Sequence, residues 1–150
     1  WEKTNHVPFI IVAPGIARPG TRCERPVSLI DIYPTLIDLC GLDHKPELDG
    51  VSLVPLLRNP NAKWTRPALM TYMQGNHAVR DRRWRYIRYA DGTEELYDHD
   101  NDPNEWHNVA ADPVNSTIIN RLKQWLPTTE APSAPDMKKP TISTKPTNER

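Results

Sequence analysis

The sequence predicts an α/β protein made of two unlike parts: one strand and one helix of a large sheet, then a small antiparallel sheet covered by a C-terminal helix. Three observations carry this prediction. Residues 9–13 are continuously apolar, residues 31–41 place apolar side chains at helical spacing, and four short strand patterns follow Pro67 with no helix between them. A hydrophobic content of 37% and 16 prolines in 150 residues indicate that part of the chain lies outside any packed core.

The first expected element is a strand from Phe9 to Ala13. Its residues are apolar and mostly β-branched, with Pro8 before the segment and Pro14 and Gly15 after it. Continuous apolar character of this kind is typical of a strand that is buried on both faces of a parallel sheet. We therefore expect it inside an α/β sheet, followed by a surface loop over residues 15–26, which are rich in Pro, Gly and Arg.

A helix is expected between Asp31 and Gly41. Apolar side chains recur at helical spacing from residue 32 to residue 40, and Gly41 tolerates the left-handed conformation that ends many helices. Asp31 is the expected N-cap, because Pro34 then lies in the first turn, where its missing N–H costs nothing. The strand, the loop and this helix make half of a βαβ unit.

Four short strands are expected after residue 67, and together they predict a small antiparallel sheet. Asp91-Gly92 between the last two strands is a strong hairpin signal. The expected strands are Ala68–Met73, His77–Arg80, Trp84–Tyr89 and Glu94–Asp98.

A final helix is expected from Ile118 to Leu126, with Ser116 or Thr117 as its N-cap. Beyond it, residues 127–150 repeat Pro, Thr and Lys with few large apolar residues, so we expect this tail to be disordered. These limits divide the chain into residues 1–66, 67–126 and 127–150. The apolar side chains of the final helix share one face, which we expect to cover the small sheet: Ile118, Ile119, Leu122, Trp125 and Leu126.

The charge balance and the cysteines narrow the classes of function. The formal net charge is zero, so no overall field draws the chain to nucleic acid or to an anionic membrane. The longest apolar run, from Val7 to Ala13, is too short to cross a bilayer, so we expect no membrane partner. Cys23 and Cys40 have no Cys or His at ligand spacing, so we expect two free, buried thiols.

Three motifs occur in order along the chain. Residues 7–15 read VPFIIVAPG, residues 31–36 read DIYPTL, and residues 95–110 join a strand pattern to an acidic Asp-Pro turn that closes with Glu105 and Asn108. Together they resemble the C-terminal part of the sulfatases of the alkaline-phosphatase superfamily. The resemblance implies the C-terminal part of an alkaline-phosphatase-like fold. Because residues 1–3 are typical of the interior of a longer gene product, we expect a missing N-terminal sulfatase portion as a partner.

The resemblance also implies a chemistry whose central groups lie elsewhere. Enzymes similar to this one hydrolyse sulfate esters with a formylglycine, made from a Cys or Ser inside a Cys/Ser-x-Pro-x-Arg motif, and a calcium ion clamps the sulfate. The family pattern places the nucleophile and the metal ligands upstream of Trp1, and neither Cys23 nor Cys40 begins such a motif. We therefore expect no catalytic residue, no bound calcium and no sulfatase activity in this chain alone.

His77 and Arg80 are the candidate substrate-binding residues. The resemblance lets the loops of the small C-terminal subdomain lean over the cleft, and both residues lie in the NHAVR segment of that subdomain. This segment and the Val7-Pro8 strand are most similar to iduronate-2-sulfatase-like bacterial enzymes. The resemblance implies a sulfated carbohydrate as substrate and a periplasmic or secreted protein.

The charged residues also allow two other interpretations. Residues 98–102 alternate carboxylates as an EF-hand does, but Pro103 stands where that loop requires Gly, so a solvated turn is expected. The arginine-rich segment 80–89 could bind an anionic glycan or nucleic acid in a noncatalytic module. Its aromatic side chains alternate between two strand faces, which favours a packed strand with arginines that reach to solvent, and no nucleic-acid partner. A phosphoester or phosphonate hydrolase is the alternative enzyme class.

Overall fold

The structure is a computed structural model that describes residues 2–132. Two short 3-10 helices, Leu29–Asp31 and Pro113–Asn115, lead directly into α2 and α4. The helices are α1 (Glu2–Asn5), α2 (Ile32–Leu39), α3 (Val54–Arg58) and α4 (Ser116–Lys123), and the strands are β1 (Ala68–Thr71), β2 (His77–Arg80), β3 (Trp84–Arg88) and β4 (Glu94–Asp98).

The four strands form one antiparallel sheet in the order β1-β2-β3-β4, in which every neighbour in sequence is a neighbour in space. The predicted sheet is therefore confirmed, with β1 and β3 slightly shorter than expected. The Asp91-Gly92 turn closes the β3–β4 hairpin, where Tyr89 N donates to Thr93 O at 2.9 Å and Gly92 takes a φ of 85°. That positive φ is the conformation for which Gly is favoured in hairpin turns.

Helix α4 covers one face of the sheet, as its sequence pattern predicts. The buried core combines one residue from each of the three strands β2, β3 and β4 with the apolar face of the helix and the turn that follows it. Trp125 was expected on this face but is exposed, because α4 ends at Lys123 and the following turn no longer keeps the helical period. The core residues are Val79, Tyr86, Leu96, Ile119, Leu122 and Leu126.

The start of α4 differs from the prediction that Ser116 or Thr117 caps it. Ser116 already has helical backbone angles, with φ −55° and ψ −41°, because the 3-10 turn Pro113–Asn115 runs straight into the α-helix. The capping carboxylate lies earlier, on Asp112, which accepts a hydrogen bond from Val114 N at 3.0 Å. The cap prediction was wrong because the sequence pattern did not include the extra 3-10 turn.

Helix α2 forms where the sequence predicts it, and Asp31 precedes it. The Asp31 carboxylate does not cap its own helix, however: it accepts hydrogen bonds from Ser28 N and from Val51 N, each at 2.9 Å. Leu53 N in turn donates to the Thr35 hydroxyl at 2.9 Å. The bonds from Val51 and Leu53 tie residues 51–53 to Asp31 and α2, and α3 packs beside α2.

Residues 9–13 do not form the predicted strand. The segment runs without regular structure, and Ile10 and Val12 are each 84% exposed. A strand forms only when its backbone pairs with a neighbouring strand, and the four strands of the sheet pair with one another and not with this segment. Residues 9–13 therefore have no strand partner within residues 2–132.

The expectation for the cysteines also changes. Cys23 and Cys40 are free thiols, but both are exposed rather than buried, since each lies in a loop or at a helix end outside the core. Residues 127–132 form neither helix nor strand, and the rest of the predicted disordered tail, residues 133–150, lies outside the described residues. No helix within residues 2–132 is long and apolar enough to cross a membrane.

Candidate functional site

The two candidate residues lie on the same strand but on opposite faces of the sheet. Side chains alternate along a strand, so His77 shares a face with Val79 and α4, whereas Arg80 points to the other side. Because β2 pairs with β1 on one edge and with β3 on the other, the backbone of the sheet lies between the two side chains. The structure therefore does not bring His77 and Arg80 together, and each belongs to its own cluster of polar groups.

The His77 imidazole is buried, at 2% exposure, and both of its nitrogens have partners. Nδ1 lies 2.9 Å from the Thr71 hydroxyl on β1, and Nε2 lies 2.9 Å from Glu130 Oε1. The second Glu130 oxygen accepts a hydrogen bond from Gly75 N at 2.7 Å. The hydrogen bond from His77, followed by the bond from Gly75, holds the pKa of the Glu130 carboxyl below its usual value, so the carboxylate is the stable form.

The turn that presents Gly75 is held in place by the neighbouring hairpin. Gly75 has a φ of 81°, and a Cβ added to it would lie 2.8 Å from the Ala90 Cβ. Ala90 N also donates to the Asn76 side-chain oxygen at 3.2 Å, which joins the β1–β2 turn to the β3–β4 turn. The position therefore requires glycine both for its backbone conformation and for its close contact.

On the opposite face of the sheet, Arg80 and Arg85 meet the carboxylate of Glu2 from α1. Arg80 Nε donates to Glu2 Oε2 at 3.1 Å, and Arg85 Nη2 donates to the same oxygen. Arg85 Nε lies 2.7 Å from Glu105 Oε1, a distance typical of an ion pair, although its N–H does not point at that oxygen. The Arg85 side chain is only 1% exposed, so the prediction that the strand's arginines reach to solvent is wrong for this residue.

Glu105 completes this cluster and connects it to two further groups. Its Oε1 lies 2.9 Å from His99 Nε2, and its Oε2 accepts a hydrogen bond from Glu2 N at 2.9 Å. Burial alone would raise the pKa of the Glu2 carboxyl, but the hydrogen bond from Arg85 and the charge of Arg80 outweigh burial and the pKa lies below its usual value. We call these five residues, Glu2, Arg80, Arg85, His99 and Glu105, the ion-pair cluster.

The ion-pair cluster does not fit the calcium ion that the sequence resemblance implies. Glu2, His99 and Glu105 offer ligand atoms within 4.8 Å of one another, the closest such grouping within residues 2–132. The guanidinium groups of Arg80, which is partly buried, and Arg85, which is buried, already neutralise the two carboxylates, and an imidazole nitrogen is a poor ligand for a cation that prefers oxygen. Sequence analysis missed this cluster, since its members are up to 103 residues apart.

The acidic segment 98–102 is a turn that its own hydrogen bonds hold together. Both Asp98 oxygens accept hydrogen bonds from Arg83, each at 2.7 Å, and Asn101 Nδ2 donates to Asp98 at 2.7 Å as well. The bonds from Arg83 lower the pKa of Asp98 to about 2. These contacts agree with the interpretation of the segment as a structural turn.

Residues 1–131 match the family model of the N-sulphoglucosamine sulphohydrolase C-terminal domain. The chain belongs to this sulfatase family. It is 38% identical over 131 residues to a sulfatase from Formosa agariphila and 36% identical over 127 residues to arylsulfatase K from Mus musculus, which cover 87% and 75% of the chain. The chain spans only 26% and 23% of those two proteins, so it corresponds to about a quarter of each relative.

Solved structures place the fold in the same superfamily. A structure described as a 2-O GAG sulfatase is 33% identical with a TM-score of 0.51, and covers 63% of this chain and 22% of its own. A phosphonate monoester hydrolase from Silicibacter pomeroyi is 27% identical with a TM-score of 0.58, and covers 75% of this chain and 26% of its own. The predicted family and the alkaline-phosphatase-like α/β class are confirmed.

Proposed function

We propose that the chain is the C-terminal portion of a sulfuric ester hydrolase that acts on a sulfated glycan. The observation that supports this most directly is the family match over residues 1–131, together with relatives named as sulfatases. The glycan substrate is supported by the 2-O GAG sulfatase among the similar structures. An iduronate-2-sulfatase-like specificity stays a prediction.

In this proposal the chain supplies structure and one wall of the substrate cleft. Its first forty residues include exposed apolar side chains: Val7, Ile10, Val12, Leu29, Ile30, Tyr33 and Leu36. Fully burying an apolar side chain of this kind stabilises a protein by about 1.5–3 kcal/mol, so a partner that covered them would gain free energy. The occupant we propose is the N-terminal sulfatase portion, whose sheet would supply the partner strands that residues 9–13 lack.

The reactive groups would then come from that N-terminal portion. The chain contains no Cys/Ser-x-Pro-x-Arg sequence, and its ion-pair cluster does not suit a hard divalent ion. A formylglycine and a metal ion, which we propose to be calcium, would supply the nucleophile and the polarisation of the sulfate. His77 and Arg80 remain the proposed substrate contacts, and their positions on opposite faces of the sheet require that each be tested separately.

A chimera tests this function. Residues 1–150 would replace the homologous C-terminal quarter of the Formosa agariphila sulfatase, and release of sulfate from a chromogenic aryl sulfate would be measured beside the parent enzyme and the chain alone. We expect activity in the chimera and none in the chain alone. A chimera that folds and binds metal as the parent does, yet releases no sulfate, would refute the proposal.

The similarity to a phosphonate monoester hydrolase gives a second candidate, hydrolysis of a phosphonate or phosphate ester. The same superfamily fold can serve both chemistries because the nucleophile and metals, which lie outside this chain, decide between them. Assaying the full-length protein that contains this chain on an aryl sulfate and on an aryl phosphonate would separate the two candidate activities. If the chain is instead a noncatalytic glycan-binding module, the chain alone should bind heparin.

A further inference from the structure

The contact between Glu130 and His77 has the form of an anion in a binding site. Two donors, His77 Nε2–H and Gly75 N–H, each face one oxygen of a single carboxylate, at 2.9 Å and 2.7 Å. A carboxylate and a sulfate group can each offer two acceptor oxygens to two donors, and charge-assisted hydrogen bonds to them are among the stronger ones in proteins.

We propose that His77 and Gly75 form an anion subsite for a sulfate or carboxylate group of the glycan substrate, and that Glu130 occupies this subsite until substrate displaces it. The proposal rests on the proposed function for the nature of the ligand. Beyond that function, His77 and Gly75 are the binding groups and Glu130 is the internal competitor.

The two donors belong to the sheet: His77 lies on β2, and Gly75 lies in the turn between β1 and β2. Thr71 is within hydrogen-bond distance of His77 Nδ1, and when its hydroxyl donates there the imidazole proton lies on Nε2, facing the subsite. The turn that carries Gly75 is held by the hydrogen bond from Ala90 N to the Asn76 side chain, and the buried imidazole has little freedom to rotate. Because these donors are already ordered, binding an anion does not require a further loss of their conformational entropy.

The competitor, in contrast, comes from a segment without regular structure. Glu130 follows α4 in residues 127–132, and no other hydrogen bond of the Glu130 side chain is found in the part of the chain that the structure describes. The charges that face it are those of His77, when protonated, and Arg88, which lies opposite His77 in the β2–β3 register. Displacement therefore exchanges one anion for another beside a positive group, while the sheet itself stays unchanged.

An NMR titration of the 150-residue chain tests this inference, with inorganic sulfate and glucosamine-2-N,6-O-disulfate as probes. The Gly75 amide and the His77 ring resonances report occupancy in the wild type, in E130A and in E130Q. Because a tethered competitor acts at an effective concentration of about 1 mM or more, we expect both E130 variants to bind about tenfold more tightly than the wild type. The variant E47A removes the same charge from an exposed loop and controls for net charge.

The variant E130A/H77N should lose the gain, since it lacks one of the two donors. Equal affinity in E47A and E130A, or shifts that spare Gly75 and His77 in both E130 variants, would overturn the proposal. The first result would show a general charge effect, and the second would show that Glu130 is only a structural contact. Neither depends on hydrolysis, so a failure here is distinguishable from a failure of the chimera assay.

Discussion

Glu105→Gln is the substitution that should expose how the small sheet depends on its buried charges. Gln keeps the shape of the side chain and can still accept the hydrogen bond from Glu2 N, which is 2.9 Å in the structure. The change removes one negative charge 2.7 Å from Arg85 Nε, in a position where the Arg85 side chain is 1% exposed and the Glu105 side chain is 3% exposed. Arg85 then retains Glu2 as its only carboxylate partner within the described residues.

The size of the effect follows from this burial. Two unit charges about 4 Å apart interact by about 4 kcal/mol at an effective dielectric constant of 20, and Gln retains part of this through its dipole. Removing one partner of a buried ion pair typically costs about 3–5 kcal/mol, because the remaining charge stays buried and less well compensated. We therefore expect E105Q to lower the free energy of unfolding by about 3 kcal/mol, and Tm by about 10 °C.

Urea denaturation followed by circular dichroism would measure this loss, with R121A as the matched control. Arg121 also forms an ion pair, to Asp81 at 2.7 Å, but its side chain is 55% exposed. Exposed pairs contribute about 0.2–1 kcal/mol, so R121A should cost less than 1 kcal/mol. A double-mutant cycle with R85M should give a coupling free energy of about 2 kcal/mol between Arg85 and Glu105.

If E105Q loses no more stability than R121A, the burial argument fails. The same conclusion would follow from a coupling free energy near zero, since Arg85 would then gain nothing from Glu105. A change in the urea m-value would instead show that the variant alters the compactness of the unfolded or native state.

Three further predictions concern other parts of the small sheet. Because Arg83 depresses the pKa of Asp98 to about 2 from 3.8, the stability from this pair should be complete above pH 3.8 and lost as pH falls toward 2. The loss should be about 1 kcal/mol, since Arg83 is half exposed, and D98N should abolish it in unfolding curves recorded across that pH range. L122A should lower the free energy of unfolding by about 2–5 kcal/mol because it empties a fully buried position, and a loss below 1 kcal/mol would contradict the assigned core. G75A should cost about 1–3 kcal/mol, since it combines a φ of 81° with a 2.8 Å approach to Ala90, and thermal melting that matches wild type would refute that close contact.

The sequence by itself determined the small sheet and its covering helix. Strands β2 and β4 match their predicted limits, and the Asp91-Gly92 turn lies where the pattern placed it. These features depend on alternation over a few residues and on the φ preferences of single residues, both of which are local properties of the chain. The apolar face of α4 was predictable for the same reason.

Only the tertiary structure decided where the charged residues meet. Glu2 lies 103 residues from Glu105, and Glu130 lies 53 residues from His77, so no local pattern connects them. Alternation along a strand puts Arg85 on the face opposite Tyr86, but it does not show that two carboxylates from distant segments contact Arg85 there.

Residues 9–13 show that a local preference for strand structure is not sufficient to form a strand. Their apolar, β-branched composition predicts a strand, but composition supplies only the side chains, and a strand also requires hydrogen-bonding partners on neighbouring strands. The four strands within residues 2–132 pair with one another and not with residues 9–13, and Ile10 and Val12 are exposed. Local sequence therefore determined which elements have an intrinsic preference to form, and long-range pairing of backbone and charge decided which of them form and what their side chains contact.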